Sequence, residues 1–240
     1  MCYNYSLNTV SLSLEKRFNV LLKGQQFNPV YHVSGFNHKK MPVITSLQPN
    51  NFQLFEWGLI PQWLKNDTKA AQFRNYTLNA RSESIFEKSA FKKIISSQRC
   101  LIPATGFFEF KHSGNNIIPY FIFIPEIKIF SFAGIWDTYI NENNQRINTY
   151  SIITKKADMF MSEIHNSKKR MPIILPPEKE KDWIDINLSK SNIEQFFNLK
   201  NPNLDAYTVS KKINNTKYNS DILEILNKVI YPGTQQKFDF

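Results

Sequence analysis

Ile117-Ile118-Pro119-Tyr120-Phe121-Ile122-Phe123-Ile124-Pro125-Glu126-Ile127-Lys128-Ile129-Phe130-Ser131-Phe132-Ala133-Gly134-Ile135 is the longest apolar stretch of a 240-residue chain. Pro119, Pro125, Glu126 and Lys128 interrupt it, so it cannot cross a bilayer as one helix. It reads instead as two strands, 117–124 and 130–135, built of β-branched and aromatic residues around a Pro-led break. Outward from it the same pattern recurs at 30–33, 41–46, 52–60, 148–154 and 172–175, mostly bounded by Pro, Gly or Asn. Helical patterning is shorter and appears at 82–89, 157–164, 177–184, 191–197 and 220–226. Asp158 precedes the apolar positions Phe160, Met161 and Ile164 as at a helix entry, and Pro177 suits a first helical turn. No unit of 20–50 residues repeats, and no Gly- or Ser-rich linker divides the chain. The expectation is one α+β domain over residues 1–230, with a mainly antiparallel sheet or barrel-like core and flanking short helices. Residues 231–240 read as a frayed tail.

The composition sets the chemical frame. Hydrophobic residues make up 42% and aromatics 14%, enough for a buried core. Thirty Lys and Arg against twenty Asp and Glu give a net charge of +10, which attracts polyanions, nucleic acid first, or serves only solubility. The lysines fall in scattered pairs, Lys39-Lys40, Lys92-Lys93, Lys155-Lys156, Lys168-Lys169 and Lys211-Lys212, so any basic patch is assembled by folding. Two cysteines, Cys2 and Cys100, make no disulfide framework, and the first residues lack the apolar core of a secretory signal. A soluble protein of a reducing compartment is expected. Nucleotide-binding glycine motifs, phosphate loops and Cys-x-x-Cys pairs are missing, so neither cofactor nor metal is expected.

Five places can carry chemistry. Removal of Met1 would make Cys2 a 1,2-aminothiol, whose amine, with a pKa of about 8, attacks aldehydes and whose thiol then closes a five-membered ring; by itself Met-Cys is also a common, idle beginning. Asn79-Ala80-Arg81-Ser82-Glu83 offers an amide to orient a substrate and a guanidinium to hold a phosphate, or simply a capped helix start. In Gly106-Phe107-Phe108-Glu109-Phe110, strand alternation puts Glu109 opposite Phe108 and Phe110 and on the side of Phe107. An apolar surround there would suit Glu109 to general acid–base work; the other reading is an outward-facing carboxylate. His165, ahead of Lys168-Lys169-Arg170, is either an acid–base group or a surface histidine in a basic loop. Trp57 and Trp63 flank Gly58 and Pro61, as base-stacking rings or as core. Cys100, among apolar neighbours, reads as a core thiol.

Taken together, these segments resemble the SRAP family, the SOS-response-associated-peptidase-like domain. The matching blocks are Met1-Cys2, Trp57-Gly58-Leu59-Ile60-Pro61, Asn79 to Glu83, Arg99 to Phe110, Phe132-Ala133-Gly134-Ile135-Trp136, and His165 ahead of Arg170-Met171-Pro172. They stand in the family order and cover residues 1 to about 190. The resemblance implies covalent capture of abasic sites in single-stranded DNA, as part of the DNA damage and SOS response. It assigns the crosslink to Cys2, its positioning to Asn79, proton shuttling to Glu109, and Schiff-base formation or strand cleavage (an AP lyase step) to His165. Arg81 and Thr154 fall where the family contacts DNA, with Ser82, Arg170, Trp57 and Trp63 as further DNA-binding candidates. No cofactor, metal or membrane is implied, and the expected protein is a monomer of the bacterial cytoplasm, at the nucleoid during damage. Three features depart from the family pattern. Tyr3-Asn4 replaces the common Gly-Arg, the stretch from Tyr31 to Phe36 lacks an Asn-x-x-Pro, and His165 stands five residues before Arg170. The family name carries a rival, a cysteine-type (auto)peptidase using Cys2, Glu109 and His165; a DNA-binding module without chemistry is a third reading.

Overall fold

The structure is a computed structural model that describes residues 2–23, 26–215 and 217–232. Most of the tail expected to fray, 233–240, lies outside the described residues. The core is a closed ring of five strands: β3 (Lys40–Thr45), β4 (Gln48–Trp57), β6 (Arg99–Ala104), β9 (Phe130–Ile140) and β10 (Arg146–Lys156). Around the ring β4–β3, β3–β6, β6–β9 and β9–β10 pair antiparallel, and a short parallel contact between β10 and β4 closes it. A second sheet packs against this barrel in the order β13 (Asp205–Thr208), β8 (Asn116–Phe123), β7 (Gly106–Ser113), β1 (Asn4–Leu7) and β2 (Val30–Ser34). Three short strands extend the barrel: β5 (Asn79–Arg81) and β11 (Arg170–Pro172) on β10, and β12 (Ile174–Leu175) on β9.

The opening apolar stretch therefore divides around Pro125, β8 going to the outer sheet with Pro119 inside it and β9 to the barrel. β6 runs almost directly into β7, so one length of chain passes from barrel to outer sheet at Gly106. A Cβ there would lie 2.2 Å from Phe121 Cζ and 2.8 Å from the Ile122 carbonyl, a space that only glycine fits. Alternation then sorts the neighbours. Phe107 joins the barrel-side core beside Phe132 (5.8 Å between rings), while Phe108 and Phe110 enter a separate cluster with Phe121.

The helices are short: α1 (Ser11–Phe18), α2 (Asp67–Phe73), α3 (Met159–Ile164), α4 (Glu180–Trp183) and α5 (Lys190–Phe197). Asp158 caps α3 by accepting from the Met161 amide, and Ser189 caps α5 by accepting from that of Asn192. The helix expected over 82–89 does not form. Ser82–Ser84 make a 3-10 turn and single turns follow, in which Ile85, Phe91, Ile94 and Ile95 enter the core separately; short turns rich in serine do not repay helix nucleation. Similarly, 220–226 holds only the 3-10 turn Leu223–Leu226.

What fixes the start of the chain is Tyr5. Its buried ring lies between Trp57 (5.1 Å) and Phe132 (5.9 Å), and its hydroxyl shares a 2.8 Å hydrogen bond with that of Tyr150. Trp57 stacks on Tyr150 and donates from Nε1 to the Leu78 carbonyl at 2.8 Å. One aromatic plug at this end of the barrel thus anchors β1 three residues after Cys2 and holds the chain one residue before Asn79.

Candidate active site

Cys2, Asn79, Glu109 and His165 come from four distant parts of the chain, and the plugged end of the barrel gathers them. Cys2 precedes β1, Asn79 opens β5, Glu109 lies on β7, and His165 terminates α3. Asn79 Nδ2 donates to the Cys2 carbonyl at 2.9 Å, which ties the first residues to the barrel, while its buried Oδ1 has no partner. The imidazole of His165 donates from Nδ1 to the Arg170 carbonyl at 2.9 Å, and Glu109 Oε2 stands 3.4 Å from the same nitrogen. That donation fixes the neutral tautomer, leaving Nε2 as the basic nitrogen. The other carboxyl oxygen of Glu109, Oε1, is buried without a partner.

Burial decides the charge states. Glu109 is 3% exposed, and loss of solvation pushes its carboxyl up to about 8. The same cause pushes His165 down to about 4. At neutral pH the pair is therefore an uncharged acid beside an uncharged imidazole, rather than an ion pair. Burial, with the neighbouring Glu109 second, raises the Cys2 thiol well above its ordinary range, and Sγ makes a 3.7 Å contact to the Asn4 carbonyl.

Glu109 and His165 line a cleft of roughly 360 Å³ together with Tyr3, Asn4, Arg81 and Lys168, while Cys2, next to Tyr3 in the chain, is fully buried. Arg81 is exposed, and its side chain makes no hydrogen bond or ion pair among the described residues. On its far side a second hollow, about 320 Å³, adjoins Asn79, Phe73, Lys88 and Tyr76, whose ring is 84% exposed. The two hollows share Arg81 in their walls, with Lys168 in the first and Lys88 and Tyr76 in the second.

Several expected DNA contacts are otherwise employed. Trp57 is wholly enclosed and builds the plug, so it offers no face to a base. Thr154 is also fully buried, with its carbonyl and hydroxyl accepting from Arg170 Nη2 at 2.8 and 3.2 Å. Arg170 points inward and pairs through both terminal nitrogens with Glu83, at 2.6 and 2.9 Å, locking the turn after His165 onto β5. Ser82 is buried at the end of β5. Trp63 is half exposed, edge-on to Phe73 of the second hollow.

Sequence reading passes over His32. Its Nε2 donates to Asn4 Oδ1 at 2.9 Å, while Nδ1 meets the Ser220 hydroxyl at 2.6 Å. The Asn4 amide is therefore held with Nδ2 as its remaining polar end in the cleft wall. No motif links positions 4 and 32; only the pairing of Asn4 with Ser34 and Tyr5 with Val33 does so.

A five-stranded barrel with a protonated carboxyl and a neutral imidazole at one basic cleft, and a buried thiol near that carboxyl, defines a site of acid–base type; no group of three or more His, Cys, Asp or Glu positioned for a metal occurs among the described residues. Residues 1–216 match the family described as SOS response associated peptidase (SRAP), and the chain belongs to that family. It is 31% identical over 227 residues to the abasic site processing protein YoqW of Bacillus subtilis, covering 92% of this chain and 97% of that one. It is also 31% identical over 195 residues to the abasic site processing protein HMCES of Rattus norvegicus, over 68% of this chain and 53% of that longer one. Among solved structures, a protein from Bacteroides thetaiotaomicron superposes with a TM-score of 0.89 at 33% identity, over 95% of this chain and 100% of the other. Among the described residues, no helix is long and apolar enough to cross a membrane.

Proposed function

We propose that this protein processes abasic sites in single-stranded DNA by forming a covalent crosslink through Cys2. The observation that carries the reading is the cluster in which Asn79 holds the Cys2 carbonyl and the Cys2 thiol feels a protonated Glu109, itself 3.4 Å from a neutral His165. Removal of Met1 frees the Cys2 amine, which adds to C1′ of the ring-opened deoxyribose. Glu109, still holding its proton at neutral pH, delivers it to the departing hydroxyl, and one water leaves as the imine forms. The thiol then adds to the imine carbon, its proton passes to nitrogen, and a thiazolidine results. His165 Nε2 takes the proton released when the amine adds. Arg81 and Lys168 hold the flanking phosphates, and Tyr76 in the second hollow offers a ring to an adjacent base. Strand cleavage by β-elimination would be a slower branch from the same imine.

The peptidase reading fits the geometry less well. A cysteine peptidase needs the thiol beside a base that can ionise it, whereas the described contact of Cys2 Sγ is a backbone carbonyl and its thiol is held neutral.

Intact mass after incubation with a single-stranded oligonucleotide bearing one abasic site tests the proposal. The expected product has the mass of Met1-less protein plus oligonucleotide minus one water, maps to Cys2, and needs no borohydride. Unmodified protein, with Met1 loss and the aldehyde both verified, would reject it.

A further inference from the structure

The opposite mouth of the barrel carries a second site. β4 touches β10 only through the pairs Thr149 with Glu56 and Tyr150 with Trp57, so towards Gln53 and Arg146 the two strands part. The gap opens into a cavity of about 570 Å³. Phe55 and Trp136 lie on strands that are not neighbours in the ring, yet their rings meet at 5.6 Å, so both face the lumen. Strand alternation puts Gln53 on the face of Phe55, and Thr138 and Asn148 on that of Trp136 and Tyr150. The lumen, apolar from Phe132 to Tyr150, thus turns polar at this end.

Two buried polar atoms are left over here. Trp136 is 8% exposed, and its Nε1–H has no acceptor. Gln53 donates from Nε2 to the carbonyls of Gln48 and Asn51, which fixes its amide and leaves the buried Oε1 without a donor. Buried polar groups in folded proteins are nearly always paired, and each exception calls for an account. At the rim, Lys23, Lys40 and Arg146 line the cavity and make no side-chain hydrogen bond or ion pair among the described residues. No carboxylate among those residues lines it.

We propose that this mouth is a nucleotide-binding site. A planar heterocycle with a donor and an acceptor on one edge matches Gln53 Oε1 and Trp136 Nε1, the aromatic floor takes its ring, and the rim cations take its phosphate. The cavity is of the size that small ligands occupy, and barrel mouths are a common place for them. Thr154 stands six residues beyond Asn148 on β10, so the site lies about 20 Å from the Cys2 cleft. The nucleotide is either free or part of a strand; the chemistry recognised is the same.

Calorimetric titration of the full chain with the four deoxynucleoside 5′-monophosphates, and separately with unmodified oligothymidylate, tests this. Binding of a monophosphate assigns a free nucleotide. Binding of the oligonucleotide alone, retained in R81A, assigns a strand. In either case the double variant K40E/R146E, altered only at exposed side chains, weakens binding about ten-fold or more and leaves crosslinking to abasic DNA intact. The proposal is overturned if no probe binds, if binding survives K40E/R146E unchanged, or if R81A alone removes it. The crosslinking reading rests on the mass measurement and stands or falls separately.

Discussion

Replacing Glu109 by glutamine should make the protein more stable while disabling its chemistry, and the gain should grow with pH. Burial raises the carboxyl from 4.5 to about 8. Between those values the unfolded chain has released its proton while the folded one keeps it. The folded state therefore binds more protons, and stability falls as pH rises, by about 1.4 kcal/mol per unit. His165 and His32 act in the other direction. Both are lowered from 6.5 to about 4, so their contribution is complete above pH 6.5 and is lost as pH falls below it. Glu109 is thus isolated between pH 6.5 and 8, where 1.5 units correspond to about 2 kcal/mol. Glu109→Gln is neutral throughout and lacks that slope; any effect of the amino terminus is common to both proteins. Urea unfolding at pH 6.5, 7.2 and 8.0 should show the wild type losing about 2 kcal/mol relative to the variant, or roughly 4–8 °C in melting temperature. Parallel pH profiles would mean that Glu109 is ionised in the fold, and the assignment of a neutral acid would fail. A stabilising loss of function of this kind is what a strained catalytic group produces.

Four further substitutions separate roles that the sequence runs together. Cys2→Ser should abolish the borohydride-independent crosslink yet keep noncovalent affinity for single-stranded DNA, measured by anisotropy; a persisting crosslink would exclude the thiazolidine. Arg81→Ala should weaken that affinity and lower the slope of log K against log salt by about one, with melting unchanged, whereas Arg170→Ala should cost about 2 kcal/mol of stability by leaving the Thr154 carbonyl unpaired and freeing Glu83. An Arg170 variant that melts normally but binds poorly would reverse those two assignments. Gly106→Ala should destabilise by about 2 kcal/mol in urea, because its methyl meets Phe121 and a backbone carbonyl that cannot move aside together.

The strands were legible wherever one face or both had to be apolar, and Pro125 marked where the chain changes sheet, whereas Pro119 lies within β8. Barrel closure was not, because it depends on two residue pairs between β10 and β4 that leave no trace in local pattern. Helices failed where they lack a cap or length: Asp158 caps α3 and Ser189 caps α5, whereas 82–89, expected as a helix, forms only turns. At the site the residue types were visible and their surroundings were not. Glu109 stood out as a carboxylate among phenylalanines, and alternation gave its side; its separation from water is a property of the assembled sheets. Arg170 and Thr154 show the reverse. Cationic and hydroxyl side chains near a basic cleft invite a phosphate reading, but here they satisfy each other and Glu83, leaving Arg81 as the exposed cation between the two hollows. His32 completes the argument: it orients Asn4 from 28 residues away, through a strand pairing that no spacing rule contains. In this fold the candidate groups are a matter of composition, while their protonation and direction come from the packing of the outer sheet on the barrel.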